Sequence, residues 1–209
     1  MAETGVALDL RRPEPPPGAA DTASFERLAV ASAADAVRRR GTHGMPLHVA
    51  VSSALLDGRV EFGSVIDLFH RNPATARSLI LTLPHDVLGG RHHRTLQRLA
   101  AAEVALSVEG WERSPSELAE QRSVNLRFLR LSAGWLLERA RGADIDALVT
   151  VLDAAAAAGV EIIATEIGND EDAVEILDLG IDLMTGPHFS GPKLLKSEGA
   201  PLPHRLAGS

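Results

Sequence analysis

The stretch from Asp144 to Pro192 leaves few options for how it folds, because helix, strand and stop signals alternate through it without a gap. Apolar residues recur at helical spacing in Asp144-Ile-Asp-Ala-Leu-Val-Thr-Val-Leu-Asp153, behind an Asp suited to capping, and Gly159 closes the helix. The β-branched run Val160-Glu-Ile-Ile-Ala-Thr165 predicts a short buried strand. Asn169 is placed to cap a second helix, Asp170 to Leu179, whose early acids Asp170, Glu171 and Asp172 suit the positive end of the helix dipole. Gly180 stops it, and Ile181-Asp-Leu-Met-Thr185 predicts a last strand. That strand runs into Gly186-Pro-His-Phe-Ser-Gly-Pro192, too rich in Gly and Pro for either regular structure.

The alternation continues upstream. A helix from about Ser24 to Arg40 carries Phe25, Leu28, Ala31 and Val37 on one side and ends in basic residues. Strands are predicted at Pro46 to Val51, Ser78 to Leu83, Val104 to Val108 and Leu126 to Leu131. Helices around Val60 to His70 and Gly90 to Ala102, and a short one from Pro115 to about Arg122, separate them. Val6 to Leu10 carries a weaker strand signal. Six strands in alternation with helices mean βα units and a parallel sheet, either doubly wound or an incomplete (β/α) barrel. Residues 1–21, with Arg11-Arg-Pro-Glu-Pro-Pro-Pro-Gly18, read as an extended mobile entry, residues 22–196 as one domain and residues 197–209 as a tail.

Composition excludes several classes of function. A chain of 209 residues with 45% hydrophobic and 23% charged content can bury one ordinary core. A net charge of −7 argues against a nucleic-acid backbone as partner, and the runs Arg38-Arg-Arg40 and Arg91-His-His-Arg94 read as solvated helix ends. The absence of cysteine removes disulfides and thiolate metal sites. No run of about 18 apolar residues and no signal-peptide core is present, so a membrane is not expected and the cytoplasm is the simplest location. His85, His92 and His93 lack the spacing of a zinc site. Trp111 and Trp135 could stack a base but read better as core or interface anchors.

The segments Gly159-Val-Glu-Ile-Ile-Ala-Thr-Glu-Ile-Gly-Asn169 and Gly180-Ile-Asp-Leu-Met-Thr-Gly-Pro-His-Phe-Ser-Gly-Pro192 resemble the C-terminal part of EAL domains. There the pattern is G-x-x-V-V-A-E-G-V-E-T, a helix, then G-x-D-x-x-Q-G-Y-x-F-S-x-P. The resemblance extends over roughly residues 24–192 and implies an incomplete TIM-type (β/α) barrel of about six strands. It implies a chain that begins about two strands late, without the strand that names the family. It also implies bacterial signalling through cyclic di-GMP.

Hydrolysis of that nucleotide by the family resembles two-metal catalysis, with oxygen ligands at the C-terminal strand ends. By the resemblance the family's Asn falls on Ala50, its next Glu on Thr82, its Asp pair on Glu109 and Gly110, its Lys on Arg130, and its late acids on Thr165 and Gly168. Glu166 adjoins Thr165, yet presenting it instead needs a one-residue slip that flips the flanking Ile pair. The implied outcome is a degenerate EAL module with no catalytic residues, no metal site and no cofactor. Nucleotide contacts, if retained, fall on Arg130, Glu109, Phe189 and Ser190. A protein partner and a homodimer through Trp135 and the Asp144 to Ala158 helix are expected. The competing reading is an active phosphodiesterase completed by unrecognised ligands or by a preceding segment. The expected dimer has a further argument: strands Pro46 to Val51 and Ile181 to Thr185 would present unpaired sheet edges.

Overall fold

The computed structural model describes residues 8–10, 22–40, 46–88, 90–111, 115–142 and 144–189, with backbone alone at 8–10, at 40 and at 116, 119 and 122. Among these residues seven strands form one parallel sheet in sequential order: β1 (Leu8–Leu10), β2 (Leu47–Ala50), β3 (Leu79–Pro84), β4 (Ala105–Glu109), β5 (Leu126–Ser132), β6 (Glu161–Thr165) and β7 (Leu183–Met184). Among the described residues eight α-helices accompany them: α1 (Thr22–Arg40), α2 (Ser53–Asp57), α3 (Arg59–Arg71), α4 (Pro73–Arg77), α5 (His93–Ala101), α6 (Ala133–Arg141), α7 (Ile145–Ala158) and α8 (Asp170–Asp178). Pro115–Val124 is a 3-10 helix. The six strands read from the sequence are all present, in an incomplete TIM-type barrel.

One expectation fails at the first edge. A strand does precede α1: Leu8, Asp9 and Leu10 pair in parallel with Leu47, His48 and Val49, so β2 is not an exposed edge. Three residues of parallel pairing cover that edge of β2. At the other end β7 has two residues, paired with Ile163 and Ala164. Both terminal strands are short, one of the ways sheets limit edge pairing.

Alternation along the strands sorts the residues into two faces. Leu47, Val49, Leu79, Leu81, Leu83, Leu106, Val108, Leu129, Leu131 and Ala164 join the main hydrophobic core. The opposite face is concave. His48 on β2 and Phe128 on β5 meet edge-on with ring centroids 5.4 Å apart, whereas three strand spacings on a flat sheet span about 14 Å.

Side-chain caps open three of the helices. Ser52 accepts a hydrogen bond from Ala54 N–H, Ser132 from Trp135 N–H and Asn169 from Asp172 N–H. Asp144 departs from its expected capping role: its side chain makes no capping bond and its carboxylate lies 3.7 Å from Arg139. Arg141 grips Glu175 with two bonds of 2.6 and 2.8 Å, tying α6 to α8. The Arg141 hydrogen bond holds the Glu175 carboxyl below the usual carboxylate range.

Candidate functional site at the strand ends

Parallel register places Asp9 beside His48, Ala50 beside Thr82, Thr82 beside Ser107, Glu109 beside Arg130, and Ser132 beside Thr165. In-register neighbours share a face, so the concave side carries a polar line across β2 to β6. His48, Thr82, Ser107 and Arg130 are all buried in it. Thr82 Oγ1 lies 3.5 Å from His48 Nδ1. Ser107 Oγ has no hydrogen-bond partner among the described residues. His48 and Ser107 escape the sequence reading because each is one polar residue in an apolar run. The available signal is parity: each stands on the same alternate row as a strand-end residue.

The sequence-derived site residues divide. Arg130, 7% exposed, projects on the concave side at the end of β5, and Glu109 stands next to it in register, exposed at the end of β4. Gly110 follows with φ +68°, and a Cβ there would come 3.4 Å from His85 Nδ1. Phe189 is 40% exposed and packs edge-on against His188, whose Nε2 lies 3.1 Å from Asp170 Oδ1. It therefore sits beside the start of α8. Ser190 and Pro192 lie outside the described residues, as do the Pro-rich entry and the tail.

The loop after β7 is held by backbone bonds to the end of β6. Thr185 N–H donates to Ala164 O (2.8 Å), Ile167 N–H to Thr185 O (3.1 Å) and His188 N–H to Ile167 O (3.1 Å). A Cβ on Gly186 would lie 2.3 Å from the Ile167 nitrogen and oxygen, so this position accepts no side chain. Thr165 Oγ1 donates to Leu131 O at 3.3 Å. Glu166 is exposed and takes φ +65°, the left-handed region that favours glycine, where the EAL pattern has its Gly.

Three side chains need correction or refinement. His92 is buried rather than solvated; its Nε2 accepts from Arg91 Nε at 3.1 Å, and Arg91 also bonds Asp57 at 2.8 Å. Trp111 is 5% exposed within the hydrophobic core, which removes it as a stacking platform. Trp135 is partly buried, with the Arg139 guanidinium 4.0 Å above its ring.

The donor set does not fit the pair of divalent cations that the resemblance implies. Hard cations need several oxygen ligands each, and the corresponding positions here are Ala50, Thr82, Glu109, Gly110, Arg130, Thr165 and Gly168. Glu109 is the one carboxylate, with a guanidinium beside it. Among the described residues no three His, Cys, Asp or Glu side chains cluster closely enough to hold a metal, and no helix is long and apolar enough to cross a membrane.

Comparison with solved structures returns the same architecture. The EAL domain of Mycobacterium smegmatis DcpA superposes with TM-score 0.64 at 20% identity, over 80% of this chain and 77% of that one. The Xanthomonas citri FimX EAL domain in complex with c-di-GMP gives TM-score 0.64 at 18% identity, over 79% and 68%. The EAL enzyme Bd1971 in its cAMP-bound form gives 0.61 at 17% identity, covering 81% of this chain but 47% of that protein. At these identities the likeness is one of fold, and the chain spans less than half of the last protein. No curated protein sequence matches. The sequence profile of the EAL domain matches residues 19–192, most of the chain, and the chain belongs to the EAL domain family.

Proposed function

We propose that this chain is a non-catalytic EAL module of bacterial cytoplasmic signalling, acting through a protein partner, with any cyclic di-GMP binding independent of metal. One observation carries the reading: the strand ends offer Ala50, Thr82, Gly110, Thr165 and Gly168 where a two-metal site needs oxygen ligands. Activation of a water by paired cations has no ligand set here. A buried guanidinium can still hold a phosphate by its planar fork without a cation, which makes Arg130 the anchor of any retained nucleotide contact, with Glu109 beside it. Phe189 and Ser190 of the last loop complete the proposed contacts. Family relatives in solved structures include c-di-GMP complexes, which supports choosing this ligand for the test.

A homodimer through α7 and Trp135 belongs to the same proposal. Ile145 and Val149, one helical turn apart on α7, are each 47% exposed, and the Ala-rich end of that helix permits close approach of a second helix.

The test is incubation of the purified protein with cyclic di-GMP and magnesium, manganese or calcium, followed by chromatography. No linear product is expected. Product above a no-enzyme control, abolished by chelator, overturns the non-catalytic reading. Calorimetric titration with and without magnesium then separates a receptor from a module that ignores the nucleotide.

A further inference from the structure

Helices α1 and α3 run side by side and leave between them a groove of about 510 Å³. Its floor is apolar, from Ala31, Val65 and Leu68, and three arginines, Arg27, Arg38 and Arg71, line it. Arg27 has no ion pair among the described residues. The other two have only exposed local partners, Arg38 with Asp35 and Arg71 with Asp67 at 3.9 Å, pairs of the kind that contribute little. Arg27 and Arg38 are eleven residues apart on α1, so cationic groups are spread over about 16 Å of groove. In a chain of net charge −7 this is a local excess of positive charge on an apolar bed.

The complementary surface exists on the same molecule. The nine-residue helix α8 leaves Val174 and Leu177 56% and 43% exposed. Glu171 and Asp178 are also exposed, and the Asp170 side chain is 97% exposed. Residues 170, 171, 174, 177 and 178 fall on one side of a helix, acids at both ends and two apolar side chains between. The remaining acids, Asp172 and Glu175, point elsewhere, toward Arg141. In a closed ring of βα units the last helix would neighbour the first. Here α1 leads into β2 and α8 joins β6 to β7, at opposite ends of the strand order. Within one molecule the two faces are far apart in that order; between molecules they can meet.

We infer that the α1–α3 groove receives the α8 face of a second copy of this chain: Val174 and Leu177 on the apolar floor, Glu171 and Asp178 toward the arginines. The contact is heterologous, each copy offering a groove at one end and a helix at the other, so it extends head to tail unless its rotation closes a ring. One nine-residue helix covers well below the roughly 800 Å² per partner of a standard stable interface. The association is therefore weak, concentration-dependent and sensitive to salt.

Reciprocal charge reversal tests it, with sedimentation read across concentration and salt. Wild type, 22.1 kDa per chain, is expected to grow with concentration past the dimer proposed through α7 and to lose that growth in high salt. The pair Arg27→Glu/Arg71→Glu, and separately Glu171→Lys/Asp178→Lys, should each weaken association at least about tenfold. An equimolar mixture of the two variants restores opposite charge at every groove and should associate again. Thermal unfolding of each variant checks that these surface changes leave the fold intact. A monomeric wild type, as when the groove takes the chain's own terminus or another protein, overturns the inference. So does growth beyond an α7 dimer that survives both reversals, or a mixture that grows no further than the separate variants.

Discussion

The two faces of the sheet obey different rules. The outer face is built almost wholly from Leu and Val: Leu79, Leu81, Leu83, Leu106, Val108 and Leu129 are each fully buried against the helices. The concave face also buries apolar side chains, Ile80 and Ile163, but beside them it buries His48, Thr82, Ser107 and Arg130. Burial without polarity stabilises a fold. Burial with polarity costs stability unless each group is satisfied, so it marks a place where something other than stability shapes the residues. The single carboxylate, Glu109, among the strand-end positions that correspond to the EAL pattern is thus a change in the chemistry of the concave face, not a loss of the face itself.

The sharpest contrast between the faces comes from Leu106→Ala, which opens a cavity in the outer layer and should cost about 3 kcal/mol, measured by denaturant unfolding. A loss below about 1 kcal/mol would mean that the outer face is not the main source of stability. On the concave face Arg130→Ala should weaken any measured affinity for cyclic di-GMP at least about tenfold, or ~1.4 kcal/mol, by calorimetry. Unchanged affinity would show that the face is not the ligand site. At the strand end Glu166→Gly should raise stability by about 0.5–1 kcal/mol, because glycine removes the cost of a left-handed backbone at φ +65°. A destabilised variant would point to a contact of the Glu166 side chain beyond the described residues. Ser107→Ala should change stability by less than about 0.5 kcal/mol: the lost hydroxyl makes no hydrogen bond among the described residues. A large loss would reveal a partner for that hydroxyl.

Periodicity made the fold legible where elements were long or strongly patterned. All six central and C-terminal strands, α1, α3, α7 and α8 follow from apolar spacing and Gly or Asn boundaries. β1 is three residues long and carries its pairing in backbone hydrogen bonds, which leave little trace in side-chain pattern. α6 is similarly obscure, since Gly134 sits in its first turn and only nine residues carry the signal, although Ser132 is a capping residue in plain view. At the site, the Glu109 and Arg130 juxtaposition follows from placing both at the ends of neighbouring parallel strands. The meeting of His48 with Phe128 does not, because it depends on how far the sheet curls, a property of all the strands together. The buried environment of His92 is hidden for a related reason: its neighbour Asp57 is the last residue of α2, a different element.

The strictly sequential strand order gives the molecule something in common with repeat proteins. Each βα unit touches chiefly the units before and after it, and among the described residues no pairing joins β1 to β7. Among the described residues the hydrogen-bonded ladder is therefore a line with two ends, each strand paired only with its neighbours in sequence. Stability along such a line is graded: an inner unit is held from both sides, a terminal unit from one. Opening is expected to start at β1 or β7 and move inward, with β3, β4 and β5, which carry most of the concave polar row, the last to exchange their amide hydrogens with water.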